Sequence, residues 1–309
     1  MAFGVTVLAG FAAFLGVFSI FCIPRKWLQK IIPIVLFFSA GIILHLSFLI
    51  LVPHAIDSFH HALHDNESLS HSEVDALSHC YSLLCIVGGI VLMLIFEHFG
   101  PDHHHGATTD HELDSFDETA NPKGADPKDK LLSDPRFETA DGVGMKYLSY
   151  KIAFALVLHH LPEGIATYTA LVNEFEFGVL IALALSLHDI PSGISIGTTI
   201  YCATGSIVQP FILCLIAALA YPLGAAIGYI IMEQHGDSEL LNGILFGLVS
   251  GLMIHIVFLE LLPTAITAVN RCEDKKVRKW SFMAMFAGMI LMEISMILLA
   301  LTGGHGHSH

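Results

Sequence analysis

Eight apolar runs, each near the roughly 20 residues a helix needs to cross a bilayer, constrain this 309-residue chain before any motif is considered. They fall at about 2–23, 32–54, 80–99, 149–172, 177–201, 208–232, 240–262 and 281–301. In hydrocarbon every backbone N–H and C=O must be satisfied within the chain, so runs of this length cross as helices. With 54% hydrophobic and 14% charged residues, the chain holds far more apolar sequence than a soluble core of this size buries. The expected fold class is an all-α polytopic membrane protein, eight transmembrane helices forming one domain over 1–309.

The basic residues orient those spans. Arg25, Lys26 and Lys30 separate the first two runs, and Arg271, Lys275, Lys276, Arg278 and Lys279 separate the last two. Lys123, Lys128, Lys130, Arg136, Lys146 and Lys151 lie between the third and fourth or at the edge of the fourth. These are all 14 of the chain's Lys and Arg, and an eight-span count puts every one on a single side. Cytoplasmic segments carry such an excess, so both termini are expected on the extracytoplasmic side. The basic group in Pro24-Arg25-Lys26 follows the first run instead of preceding it, which reads as a spanning helix and not a cleaved signal peptide. The sequon Asn66-Glu67-Ser68 falls in a segment this topology leaves outside.

Polar groups inside the runs are costly and therefore informative. His159-His160-Leu161-Pro162-Glu163-Gly164 sits in the middle of the fourth run, where a carboxylate costs on the order of 3 kcal/mol to insert. On a helix His159 and Glu163 are four residues apart and His160 and Glu163 three, so two imidazoles and a carboxylate share one flank. Pro162 cannot donate to the Leu158 carbonyl and kinks the helix beside them. Imidazole with carboxylate suits zinc, iron, cobalt or manganese better than calcium or magnesium. The pattern returns 29 residues later, in the fifth run, as His188-Asp189-Ile190-Pro191-Ser192-Gly193. The short connection Asn173-Glu174-Phe175-Glu176 makes the two helices antiparallel. His159, His160, Glu163, His188 and Asp189 are thereby expected to meet near mid-membrane as one metal site.

A second echo links the second and seventh runs. Gly41 to His45 and Phe48 to Pro53 recur, ungapped at an offset of 210, as Gly251 to His255 and Phe258 to Pro263. The topology sends these two helices across in opposite directions, and inverted repeats around a midplane site on broken helices mark transporters. His45 and His255 read either as pathway groups or as hydrogen-bonded packing residues. Ser192 and Glu260 are further pathway candidates, Glu260 lying near a helix end, and Glu293 is another intramembrane acid.

Outside the runs, Pro101 to Gly144 has too little apolar content to fold and reads as a disordered cytosolic segment carrying His103, His104, His105 and His111. An outer loop carries His60, His61, His64, His71 and His79, and the chain ends Gly-His-Gly-His-Ser-His. Histidine tracts bind metal ions weakly and reversibly, or are merely solvated. His103, His104 and His105 at one mouth, and His60, His61 and His64 at the other, are the candidates for metal capture. The net charge of −14 comes mostly from acidic loops and suggests no nucleic-acid partner. Six scattered cysteines without a CxxC form neither a disulfide framework nor a zinc ribbon. No HExxH occurs, which argues against an intramembrane zinc protease and against an enzyme.

HHLPEG with its partner HDIPSG, the eight spans, the outside termini and the histidine-bearing segment before the fourth span together resemble the ZIP (Zrt/Irt-like protein) family of divalent metal transporters. SAGIILHLSF, HHLPEGIAT, LHDIPSGISIGTTIY and FGLVSGLMIHIVFLELLP are most similar to its GufA-type branch. The resemblance implies uptake of zinc, or of ferrous iron, toward the cytosol by a homodimer whose site-bearing helices move like an elevator. The plasma membrane is the expected location, an organelle membrane the alternative, and no cofactor is expected beyond the transported Zn2+ or Fe2+. The resemblance assigns a central ion to His159, Glu163 and His188, and an adjacent second ion to His160 and Asp189. Ser192 and Tyr221 stand where the family pattern has carboxylates. Two neighbouring dications need bridging negative charge, so one ion is expected here, with Asp189 or water completing its shell. A sensor or scaffold that binds metal without moving it is the competing reading.

Overall fold

The computed structural model describes residues 1–22, 25–64, 70–99, 142–204, 206, 208–235, 238–270 and 274–303. The chain runs α1 (Ala2–Gly10), α2 (Ala12–Cys22), α3 (Arg25–His45), a π-helical turn (Leu46–Leu51), α4 (Val52–His64), α5 (His71–Phe99), α6 (Gly142–Asn173), α7 (Phe175–Thr204), α8 (Val208–Ala218), α9 (Ala220–His235), α10 (Glu239–His255), a second π-helical turn (Ile256–Leu261), α11 (Leu262–Asn270) and α12 (Lys275–Gly303). No strand occurs among the described residues. Among the described residues six stretches are long and apolar enough to cross a membrane: Lys30–His64, His71–Phe96, Phe175–Ile194, Val208–Gln234, Glu239–Asn270 and Lys275–Leu298. Ala2–Phe18 is a shorter apolar helix, and the 32-residue α6 carries the first motif. The molecule is an all-α polytopic membrane protein.

The two π-helical turns stand at the offset of 210 that separates the sequence echoes. After each turn an amide bonds five residues back, Val52 to Ser47 and Leu262 to Val257. The cause is the proline that follows, Pro53 in one repeat and Pro263 in the other. A proline has no N–H for the carbonyl four residues earlier and its ring crowds that carbonyl; a wider turn ahead of it relieves the crowding.

Glycines set how closely the helices meet. A Cβ on Gly164 would lie 2.4 Å from the Tyr221 carbonyl oxygen, and one on Gly224 2.3 Å from that of Leu161, where α6 crosses α9. Gly16 meets the Ile190 carbonyl oxygen at 2.1 Å and Gly193 that of Ala13 at 2.0 Å, where α2 crosses α7. Gly41 and Gly288 do the same to Met285 and Phe38 between α3 and α12, as do Gly89 and Gly251 to Leu248 and Ile86 between α5 and α10. In all four pairs each glycine faces the carbonyl three residues before the other glycine, and the paired helices run parallel, as the contacts His160–Ala217, Gly164–Tyr221 and Tyr168–Tyr229 show for α6 and α9. Backbones that approach this closely gain dispersion and Cα–H···O contacts that any side chain would block. Gly41 and Gly251 are repeat equivalents, and so are Gly164 and Gly193, so both echoes in the sequence mark helix crossings.

Between the crossings lies a seam of ordinary side chains. Leu36, Phe37, Ile42 and Ile43 of α3 pack with Leu180, Ile181 and Leu185 of α7 and with Phe246, Val249 and Met253 of α10 in the largest buried cluster. Leu83, Leu84 and Val87 of α5 and Phe282, Phe286 and Ile290 of α12 point outward, the apolar face a bilayer requires.

One boundary differs from the sequence reading. His60, His61 and His64 belong to α4, and His71 and His79 to α5, so these five histidines lie on helix ends and not in a loop. Hydropathy does not register helix that continues beyond the bilayer. Ser70 starts α5 by capping it: its backbone N–H and its hydroxyl donate to Glu73 Oε2, at 2.9 and 2.7 Å.

Candidate metal centre

The two proline-containing helices bring His160 and Glu163 of α6 against His188 and Asp189 of α7, all buried. One ligand atom each from His160, Glu163 and Asp189 lies within 4.8 Å of the others. Ligand atoms around a tetrahedral zinc are about 3.3 Å apart, so a contraction of up to about 1.5 Å would close this set on one ion. Asp189 Oδ1 stands 3.5 Å from His160 Nε2 and 3.9 Å from His188 Nε2.

Partners behind the imidazoles settle which nitrogen faces the site. His160 Nδ1 lies 3.2 Å from the carbonyl oxygen of Ala217, at the end of α8. A carbonyl only accepts, so Nδ1 carries the hydrogen and the lone pair of the neutral ring lies at Nε2, toward Asp189. His188 Nδ1 lies 2.5 Å from Ser39 Oγ of α3, and that hydroxyl makes a longer contact, 3.4 Å, with the His188 carbonyl. The contact turns Nδ1 toward Ser39 and leaves Nε2 facing Asp189, whichever of the hydroxyl and the ring supplies the hydrogen. Ser192 donates to the same His188 carbonyl at 3.3 Å, so this side chain supports the turn below Pro191.

Tyr221 fills the remaining flank. Its hydroxyl donates to Glu163 Oε2 and to Asp189 Oδ2, both at 2.8 Å, and its ring centre is 5.1 Å from that of His160. One hydroxyl hydrogen is thus shared between the two carboxyl groups. The side chain fits because Gly10 leaves room for it, a Cβ there lying 2.6 Å from Tyr221 Cβ, while Gly164 leaves room for the Tyr221 backbone. From the sequence Tyr221 was a missing carboxylate; in the structure it is the group that ties two carboxylates together.

The other candidates divide. His159 belongs to α6, but its side chain lies outside the described residues, as do His103, His104 and His105. His45 is buried and its Nε2 pairs with Glu293 Oε2 of α12 at 3.4 Å, which favours the packing reading for this residue. His255, its repeat equivalent, is also buried. Glu260 is half-buried within the second π-helical turn and its carbonyl accepts from Thr264 Oγ1 at 2.6 Å. Ser39 was not singled out from the sequence. A serine inside an apolar run is too ordinary to signal a role, and the glycine two residues on gives none either.

Repeat-related, proline-containing helices around a buried imidazole and carboxylate cluster, in an all-α bundle of membrane-length helices, are the arrangement of a membrane transport protein with a candidate metal centre. Residues 1–296 match the family described as ZIP Zinc transporter, and the chain belongs to that family. It is 29% identical over 298 residues to the Zinc transporter ZupT of Nitratidesulfovibrio vulgaris, covering 96% of each chain. It is 31% identical to the Zinc transporter ZupT of Campylobacter jejuni, over 95% of this chain and 94% of that one. The Clostridium perfringens protein of the same name is 31% identical, over 96% and 95% of the two chains.

Proposed function

We propose that this chain carries zinc across the plasma membrane toward the cytosol, one ion at a time, through the centre formed by His160, Glu163, His188 and Asp189, with His159 as a further ligand. The observation that carries the reading is the buried trio of ligand atoms from His160, Glu163 and Asp189 within 4.8 Å, on two helices that run on through Pro162 and Pro191. Full burial of two carboxyl groups in a bilayer is costly unless a cation or hydrogen bonds compensate it, and zinc supplies the compensation. Similarity to proteins named zinc transporters selects zinc among the ions the ligand set accepts. Membership of a transporter family favours a carrier over an enzyme. The working unit is a homodimer of single-domain chains, 1–309, with both termini outside, in which the helices bearing the centre shift against the others.

The test is radiolabelled zinc and ferrous iron uptake into proteoliposomes by wild type, Glu163→Ala and Asp189→Ala. Saturable zinc uptake by wild type, reduced by at least about 100-fold in each variant, is the expected result. Saturable zinc binding without flux in wild type would replace the carrier by a sensor. Preferential iron flux would change the ion and keep the site.

A further inference from the structure

The polar ends of α4 and α5 hold a second set of ligating side chains, outside the buried centre. His60 and His64 are four residues apart on α4, and His71 and Asp75 are four apart on α5, so each helix presents a vertical pair on one face. The two pairs face each other in antiparallel register. His60 Nε2 lies 3.2 Å from Asp75 Oδ1, and the rings of His64 and His71 are 5.6 Å apart. The His60 and His64 rings, along α4, are 5.9 Å apart. Three imidazoles and a carboxylate thus occupy the corners of one small quadrilateral.

The corners are held from below. Phe59 and Val74, the residues adjoining His60 and Asp75, are buried, as are Ala55 and Ser78 one turn further in. The Ser70–Glu73 cap fixes where α5 begins, and with it the height of His71 opposite His64. Two imidazoles on one tetrahedral zinc have ring centres about 5 Å apart, so the observed spacings need only small side-chain rotations. His61 does not take part: its Nε2 turns to Asp57 Oδ1 at 3.7 Å.

We propose that His60, His64, His71 and Asp75 form a second divalent-metal site, three nitrogens and one oxygen, at the mouth of the protein. The ligand set selects zinc or cobalt over magnesium and calcium. His60 is 34% and Asp75 64% exposed at the side chain, so nothing shields a bound ion from water and exchange is fast. The site captures ions and releases them, which raises the supply to the buried centre. That role rests on the proposed transport function; binding itself does not.

The experiment is a cobalt titration of the full chain in lipid nanodiscs, with Glu163→Ala/Asp189→Ala as the parent so that the buried centre is disabled. The expected result is a cobalt absorption band of tetrahedral intensity in the parent and in His61→Ala added to it, lost when His64→Ala/His71→Ala is added. Equal titrations of the parent and the His64→Ala/His71→Ala form overturn the proposal. Single His64→Gln and His71→Gln variants, each expected to weaken binding by about tenfold or more, keep the question open to test if the double variant misfolds. In zinc uptake with the buried centre intact, His64→Ala/His71→Ala is expected to raise the apparent KM several-fold at unchanged maximal rate. A wild type that binds cobalt at this site and moves no zinc overturns the transport reading while the second site stands.

Discussion

Two hydroxyl groups hold the buried centre in shape, and each makes a separate prediction. The Tyr221 hydroxyl bonds both carboxyl groups, so zinc must compete with it for the same oxygens. Tyr221→Phe keeps the ring against Gly10 and removes only that competitor. A hydrogen bond to a charged acceptor contributes about 1.5–3 kcal/mol, so zinc should bind about tenfold or more tightly in Tyr221→Phe, with slower turnover; chelator competition measures the first and uptake the second. An unchanged zinc affinity would show that the hydroxyl does not compete. Ser39 acts on His188 alone, and Ser39→Ala should weaken zinc binding by about 10- to 100-fold while the fold stays intact by circular dichroism. His160, Glu163, His188 and Asp189 could be read from the sequence because helical spacing and a repeated motif are local patterns. Tyr221 and Ser39 reach the centre across 58 and 149 residues of chain, and no spacing rule connects such positions.

At the scale of elements, the helix crossings offer a comparison between neighbours. A methyl on Gly89 would sit 2.2 Å from the Leu248 carbonyl oxygen, whereas on Gly88 its nearest neighbour would be a Leu248 side-chain carbon at 3.5 Å. Gly89→Ala should therefore lower stability by about 1–3 kcal/mol, as overpacking does, and Gly88→Ala should stay within about 1 kcal/mol of wild type in thermal melts. Equal melting of the two would mean that this crossing yields without strain. Gly41, Gly164, Gly193 and Gly251 were legible as repeat positions, but their partners Gly16, Gly89, Gly224 and Gly288 carry no motif and emerge only from the packing. The π-helical turns were hidden for another reason: their residues are apolar throughout, and only the shared Pro53 and Pro263 hint at a change of pitch. The early start of α5 was written in Ser70-x-x-Glu73, a capping pattern in text otherwise too polar to read as part of a span.

For the whole molecule, the distribution of Lys and Arg gives a prediction about sidedness. In a cysteine-free background, Ser72→Cys, on the first turn of α5, should react with a membrane-impermeant thiol reagent added to intact cells. Lys279→Cys, the fifth residue of α12, should react only after permeabilisation. The reverse pattern would invert the topology and place the His60–Asp75 cluster inside. The arrangement of crossings also bears on how such a molecule can deform. A joint with backbone on both sides has no rotamers to exchange and little compliance. α6 with α9, α2 with α7, α3 with α12 and α5 with α10 therefore behave as stiff beams, and the play in the frame is left to the leucine, isoleucine and phenylalanine seam between α3 and α7. The Ser39–His188 hydrogen bond spans that seam. Any slip along it pulls the supporting hydroxyl away from His188, so in the proposed function the grip on the ion is mechanically geared to the position of the beam that carries it.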